Sequence, residues 1–293
     1  MNYKELDQKA AFGDEKSAII LSERAQKLEP LPIRDGLGNP LTWCPADIPE
    51  GLLQEIDKMY GNISVTDIDT EISIEEESFY RSRIEGLDTT QEELSEVFRA
   101  KRTGAKGDKM VLNTYRAVKY LNVSQKRDMD TLVQLWNILT DGVCDDSGFR
   151  TTEKTKMRHA PEVELLDYCM KQFFEFYHGE NIKNPYIKMA VLHFYFVYMY
   201  PFRDGNGRIA RLISTDFLIR SGLENFSSLT LSKTVNETKE AYYHALDQSE
   251  NSLFDVTPLI QYMLKTVYDN FYEVLEKQNE NLGEHINWDE IFE

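Results

Sequence analysis

With 293 residues, 41% of them hydrophobic and 28% charged, the chain can build one large domain or two small ones around a real core. No apolar run reaches the length of a membrane span. A formal charge of −17 argues against nonspecific nucleic-acid binding, which rests on neutralising phosphates with Lys and Arg.

Three cysteines, Cys44, Cys144 and Cys169, are far apart and odd in number, so they form neither a disulfide framework nor a metal spacing. The opening stretch MNYKELDQKAAFGDEKS lacks the apolar core of a secretory signal. A cytoplasmic protein with reduced, buried thiols is expected.

In chain order, an amphipathic helix is expected over Ser17–Leu28. A proline-rich loop follows, where the turn dipeptides Asp35-Gly36 and Gly38-Asn39 allow a short hairpin. Helices follow over Pro49–Tyr60 and over Ser64–Ile84, the second ended by Gly86. Thr90, with Glu93 three residues on, has the form of a capping box. The stretch TGAKG at residues 103–107 is the best candidate for a linker. Helices are expected over Lys109–Leu121 and Asp128–Leu139, and an irregular basic segment over Gly142–Ala160. Pro161 suits the first turn of a helix ending at Gly179, and Pro185 opens an apolar helix to Met199. Helices over Gly207–Ser221, Asn236–Gln248 and Thr257–Lys277 complete a mostly helical chain. The last segment, from Glu276, is polar and acidic and reads as a frayed tail.

Basic islands stand out against the acidic background. They lie at Phe149–His159, at Arg203–Arg211 and from Arg99 to Lys109. In an acidic protein they point to a small anionic ligand rather than a polyanion.

One stretch is unlike the rest: FYFVYMYPFRDGNGRIARL, Phe194 to Leu212. Ile187, Ala190, Val191, Phe194 and Tyr198 recur at helical spacing, so the helix before it belongs at a domain centre. Pro201 ends that helix at Tyr200. Gly205 and Gly207 let the turn adopt conformations barred to other residues, and a second helix starts there with outward N–H groups that favour an anion. Asp204 is a hard oxygen ligand suited to Mg²⁺ bridged to phosphate. Arg208 and Arg211, three residues apart, share a face, and their forks match phosphate geometry. The combination describes a triphosphate–Mg²⁺ site. It is not a Walker loop, because no GxxxxGK[ST] occurs.

The string YPFRDGNGRIAR resembles the core motif of the Fic (filamentation induced by cyclic AMP) family, His-x-Phe-x-Asp/Glu-Gly-Asn-Gly-Arg-x-x-Arg, at every position but the first. AVLHFYFVYMYPF resembles that family's preceding helix, GFRTTEKTKMRHAP its strand-like flap, and EAYYHAL, with Tyr242 and Tyr243, the helix that follows. The likeness covers roughly residues 110–270. It implies an all-α Fic-type bundle with a short hairpin-like flap, and transfer of AMP from ATP to a hydroxyl of an unidentified protein target. It further implies that Asp204 holds Mg²⁺, that Gly205, Asn206 and Gly207 form an anion hole, and that Arg208 and Arg211 hold the β and γ phosphates. Phe202 would pack inward, Tyr242 and Tyr243 would contact the nucleotide, and Thr155, Lys156 and Met157 would align the target by strand addition.

A second likeness lies upstream. RSRIEG, Arg81 to Gly86, resembles the family's inhibitory helix, Ser/Thr-x-x-x-Glu-Gly/Asn, here at about residues 70–86. Glu85 and Gly86 match, and Arg81 replaces the Ser/Thr. By resemblance Glu85 pairs with Arg211 and competes with the γ-phosphate for one guanidinium. The implied organisation is an N-terminal helical region at 1–104, a core at 105–272 and an acidic tail at 273–293. Too few residues follow the core for the winged helix that some relatives carry, so no DNA-binding module is expected. No nucleic-acid or membrane partner is expected, and assembly as a homo-oligomer is left open.

Tyr200 is the departure. The family's histidine there is the general base, suited by a pKa of ~6.5, whereas tyrosine titrates near ~10. The gap of ~3.5 units corresponds to ~5 kcal/mol. His193 lies too far back along the helix to substitute, and His159 near the flap is the other candidate. Three readings follow: a slow transferase restrained by Glu85, a nucleotide-binding regulator that has lost transfer, and an interaction module in which the motif is a relic. The intact Asp204, glycines and arginines count against the third.

Overall fold

The computed structural model describes residues 3–66, 68–87, 90, 96–98, 106–144, 148–152, 155–252, 254–278 and 288. The chain is mostly helical with one two-stranded sheet. It divides into two compact units, residues 1–63 with 240–293, and residues 64–239.

The first unit holds α1 (Tyr3–Ala11), α2 (Glu15–Ala25), β1 (Glu29–Arg34), β2 (Pro40–Trp43) and α3 (Leu52–Asn62). Its C-terminal part holds most of a helix at Lys239–Asn251 and a long helix at Thr257–Lys277. The two strands pair antiparallel, Glu29 opposite Trp43 and Arg34 opposite Pro40. Asp35 shapes the turn, its carboxylate accepting from Leu37 N at 2.9 Å and Asn39 N at 2.8 Å. The loop before the last helix joins this sheet, Val256 N donating to Thr42 O at 2.8 Å. Buried Arg24 pairs with Asp255 at 2.5 Å and also meets Asp47. Trp288, expected in a frayed tail, is instead buried against the last helix. It donates to Asp269 at 2.8 Å and lies edge-on to Tyr268. An indole this large regains a core contact once its N–H finds an acceptor.

The second unit holds α4 (Thr70–Ile84), α5 (Lys106–Val123), α6 (Met129–Thr140), α7 (Leu166–His178), α8 (Pro185–Met199), α9 (Asn206–Arg220) and α10 (Leu231–Glu237). Helix Lys239–Asn251 is α11, and Thr257–Lys277 is α12. At the centre of this unit, α8 packs on α9 and is buried from Tyr186 through Met199. Asn184 caps α8 by accepting from Ile187 N at 3.0 Å, and Pro185 occupies the first turn, where its missing N–H costs nothing.

Several boundaries differ from those expected. Helix α4 starts at Thr70 rather than Ser64, because Asp69 caps it, accepting from Glu71 N at 2.9 Å and Ile72 N at 3.3 Å. It packs against α5 and α10, so it belongs with the later helices and not to a separate region ending at residue 104. Lys106 and Gly107, in the candidate linker, belong to the first turn of α5. The helix expected from Asn236 is two helices, broken at Thr238, whose hydroxyl bonds back to Thr234 O at 2.8 Å. The capping box at Thr90 lies mostly outside the described residues.

A buried ion pair ties α9 to the α5–α6 turn. Asp216 accepts from Arg127 at 2.5 and 2.6 Å and from the Tyr177 hydroxyl at 3.3 Å. Burial, with Asp216 beside it, pushes the Tyr177 phenol up. Asp216→Ala leaves a buried guanidinium without its counter-ion. It should cost about 3 kcal/mol in urea unfolding, whereas an exposed pair is worth under about 1 kcal/mol.

Candidate active site

The turn between α8 and α9 is built from the inside out. Phe202 is fully buried between two parallel rings, Trp136 at 5.4 Å and Phe149 at 4.9 Å between centroids. Trp136 Nε1 also donates to Asp204 O at 3.0 Å. Asn206 closes the loop on itself: its side chain accepts from Phe202 N at 3.0 Å and donates to Phe202 O at 2.7 Å. That side chain is committed to the backbone, so the main chain of Asn206 is what remains to face a ligand. Gly205 sits at φ +83, a left-handed conformation that favours glycine.

Tyr200 caps α8 in the left-handed region, φ 45 and ψ 54, a costly conformation for a bulky residue. Arg150 holds it there. Its guanidinium donates to Tyr200 O at 2.9 Å and reaches Pro161 O, while Arg150 N donates to Pro201 O at 2.9 Å. The sequence counted Arg150 among the basic groups facing a ligand. The structure spends it on carbonyls behind the motif loop, which is why Tyr200 keeps its strained geometry.

Helix α9 begins at Asn206, and its first intrahelical bond runs from Ile209 N to Gly205 O at 3.0 Å. The N–H groups of Asn206, Gly207 and Arg208 are thus the helix-start donors where an anion is favoured. Arg208 is buried, donates to Leu139 O at 3.1 Å and stands 3.9 Å from Asp204. Its Nε is buried with no acceptor. Asp204 is half exposed, and its other oxygen accepts from Gly205 N at 2.7 Å.

Glu85 comes to this same place. Its carboxylate accepts from Arg211 at 2.7 Å, and a Cβ added at Gly207 would collide with it. The carboxylate therefore lies over the start of α9. Two bonds of a Schellman cap fix the chain that delivers it: Gly86 N to Arg83 O at 2.9 Å and Leu87 N to Ser82 O at 3.2 Å, with Gly86 at φ +92. Burial alone would raise the Glu85 pKa, but the charge and hydrogen bond of Arg211, with Arg208 and Lys156 behind them, hold it below the usual carboxylate range. A lowered carboxylate pKa stabilises the fold above the unfolded value of ~4.3 and loses that effect as pH falls through the folded value. The stability gap between wild type and Glu85→Gln should thus be constant from neutral pH to about pH 5 and should close only in more acidic solution, as read by urea titration.

His193, on α8, is fully buried. Its Nδ1 shares a 3.0 Å hydrogen bond with Ser214 Oγ. Burial first, then the Arg211 charge, push its pKa down to about 3, so it stays neutral and enclosed at working pH. His159 is exposed.

The flap differs from the strand-like form expected. Lys156 and Met157 lie in bends and Thr155 is irregular, with the Thr155 hydroxyl turned onto Met157 O, and the two-stranded sheet lies instead at residues 29–43. Among the described residues the strand pairing near the motif is a single bridge, Phe149 to Phe202. Lys156 nonetheless acts on Glu85 through its charge. Tyr242 and Tyr243 belong to the first unit, where Tyr242 stacks at a tilt on Tyr243 and on Tyr262. The sequence missed Trp136 and Phe149 as ring partners of Phe202, since no spacing rule links residues that far apart. Among the described residues no group of three or more His, Cys, Asp or Glu forms a metal cluster, and no helix is long and apolar enough to cross a membrane.

Part of the sequence and the fold are similar to known proteins. Residues 126–218 match the model of the Fic/DOC family. The chain is 27% identical over 165 residues to the protein adenylyltransferase Fic of Nematostella vectensis, covering 53% of this chain and 37% of that protein. It is 31% identical over 119 residues to protein adenylyltransferase fic-1 of Caenorhabditis elegans, covering 40% of this chain and 22% of that protein. The chain thus spans well under half the length of these relatives. Two solved structures share the fold. A Fic family protein from Desulfovibrio desulfuricans G20 has a TM-score of 0.70 at 21% identity, covering 81% of this chain and 76% of that one. Fic-1 (aa134–508) from C. elegans has a TM-score of 0.68 at 20% identity, covering 80% of this chain and 74% of that one. Residues 126–218 thus match a Fic/DOC family domain, and these two solved structures share the fold around it.

Proposed function

We propose that this chain binds ATP with its phosphates at the start of α9, that Glu85 competes for that place, and that its chemistry is AMP transfer to a protein hydroxyl, slowed by Tyr200. The observation that carries the reading is the Glu85 carboxylate over Gly207 and on Arg211. A carboxylate stands where phosphate oxygens would stand, held by the same kind of donors.

In this reading the N–H groups of Asn206, Gly207 and Arg208 receive the phosphates, and the two guanidiniums neutralise them. Phe202 and Asn206 keep the loop rigid, so its donors need no rearrangement on binding. The donor set fits Mg²⁺: Asp204 offers a half-exposed carboxylate beside the phosphate position, and Mg²⁺ is ordinarily held by one or two carboxylates plus phosphates. When bound, it would supply charge neutralisation of the phosphates. Transfer then has the acceptor hydroxyl oxygen bond to the α-phosphorus as its bond to the β-phosphate oxygen breaks. Pyrophosphate leaves, and the hydroxyl proton must go to a base. Lys156 and its neighbours in the flap border the site where a target segment would lie.

The proton is where this chain departs from its relatives' pattern. Tyr200 holds the position of the base, yet a phenol is almost wholly protonated at neutral pH. His193 is sealed in the core. These two observations favour a second reading of the same pocket, a nucleotide-binding regulator without transfer. Calorimetry with ATP–Mg²⁺ separates binding from catalysis. Glu85→Gly should bind several-fold more tightly than wild type, because its competitor is gone. Equal affinity in both proteins would remove the competition, and binding by neither would leave the motif a relic. A cytoplasmic setting and a single unidentified protein target accompany the proposal.

A further inference from the structure

Arg81 stands where the inhibitory-helix pattern has Ser or Thr, and its surroundings are unusual. Its side chain is buried and pairs with Glu77 one turn earlier on α4, at 2.9 Å. Glu77 in turn accepts from Ser232 N at 2.9 Å and Ser232 Oγ at 2.7 Å, on α10. The same Arg81 guanidinium donates to Thr215 Oγ1 on α9 at 2.9 Å. Thr215 Oγ1 donates to Arg211 O at 3.2 Å, and Arg211 Nη2 donates to Arg81 O at 3.2 Å. These bonds close a ring between the two helices: Arg81 side chain to Thr215, Thr215 to the Arg211 backbone, and Arg211 side chain to the Arg81 backbone. Arg211 thus holds α4 by two groups, the Arg81 carbonyl and the Glu85 carboxylate, and only the second is an anion that a phosphate can replace.

We propose that Arg81 is a positioning residue that fastens α4 to α9 through Thr215 and thereby sets how strongly Glu85 competes with a nucleotide phosphate for Arg211. This rests on the reading of Glu85 as a phosphate competitor. A tethered carboxylate competes according to its effective concentration at the guanidinium, and that concentration falls when the tether loosens. With the ring closed, Glu85 can leave Arg211 by movement of the last turn and its Gly86 cap alone, while α4 stays docked and returns the carboxylate at once. Serine or threonine at residue 81 could not span to Thr215 and Glu77 together. The like charges of Arg81 and Arg211 also repel each other, so each keeps its own carboxylate.

The test is calorimetry with ATP–Mg²⁺ on Thr215→Val, Thr215→Ser and Arg81→Lys, each made in wild type and in Glu85→Gly. Thr215→Val removes the acceptor with little change of volume, and Arg81→Lys keeps a charge for Glu77 without the fork that also reaches Thr215. A hydrogen bond from a charged donor is worth enough to change affinity about ten-fold. In the wild-type background both should tighten ATP binding by up to about that factor, and Thr215→Ser, which keeps the hydroxyl, should leave it unchanged. In Glu85→Gly none of them should matter. Hydrogen exchange should show the amides of Arg83–Leu87 opening faster in Thr215→Val, which a merely structural change elsewhere would not single out. If Glu85→Gly tightens binding and Thr215→Val does not, Arg81 has no positioning role. An equal effect of Thr215→Val in both backgrounds would also overturn it, because the variant would then act on the pocket and not through Glu85. If Glu85→Gly itself binds as wild type does, the competition falls and this inference falls with it.

Discussion

The double variant Glu85→Gly, Tyr200→His should label itself with AMP from ATP carrying a labelled α-phosphate, at least about a hundred-fold faster than either single variant. Two obstacles act in series. Glu85 lies on Arg211 at the start of α9, and on the proposed reading it keeps phosphates from settling there. On the proposed reading Tyr200 is a poor base near neutral pH, where about one free phenol in a thousand is ionised. A positioned base contributes on the order of 10²- to 10⁴-fold, so removing Glu85 alone should recover only a small part of the rate. Tyr200→His restores a base but leaves the phosphates excluded. If Tyr200 is itself an active base, Glu85→Gly alone labels, and its rate climbs with pH as the phenol ionises. Strong labelling by the unmodified protein at neutral pH would contradict both obstacles.

Arg208→Ala should weaken ATP–Mg²⁺ binding by about fifty-fold in the Glu85→Gly background, the loss expected for one charge-assisted phosphate contact. The side chain is buried at the helix start with Nε lacking an acceptor, and it borders Asp204. It also donates to Leu139 O, so the variant's melting must be compared with that of Arg208→Lys. The lysine keeps the charge but not the fork, and should bind with intermediate affinity. Binding weakened strongly in Arg208→Ala and less in Arg208→Lys, with unchanged melting, would place the phosphate at this guanidinium. Undiminished binding in Arg208→Ala would move the nucleotide elsewhere.

Where local chemistry decides, the sequence was readable. The apolar residues from Tyr186 to Met199 have no polar face, and α8 is buried on every side. Pro185, Pro201 and the glycines mark its ends and the turn after it, so α8 and α9 fall within a residue of their expected limits. The IEG stretch reads as a helix end, and it forms the cap expected of one. That its carboxylate reaches Arg211, 126 positions later, is implied in the sequence by the family resemblance alone, because it depends on packing of α4 across α9, which periodicity does not encode. Arg150 shows the opposite failure. Within a basic run it looks like a ligand contact, but its fork satisfies carbonyls behind Tyr200. The resemblance implies a strand-like flap, yet Thr155 is irregular, Lys156 and Met157 lie in bends, and none of the three joins a ladder. Short helices also escaped notice. At Tyr3–Ala11 and Leu231–Glu237 too few apolar residues repeat to give a period, and tertiary contacts supply what propensity does not. Arg81 was noticed as a mismatch to a pattern, while its ring with Thr215 and Arg211 needed three-dimensional placement.

A crystal structure with ATP–Mg²⁺ bound measures the central claim most directly, since the claim concerns one location. The account predicts phosphate oxygens at the N–H groups of Asn206, Gly207 and Arg208, a phosphate on Arg211, and the Glu85 carboxylate swung away while α4 stays on Thr215. Nucleotide bound elsewhere, or bound here with the 2.7 Å Glu85–Arg211 pair intact, would contradict it.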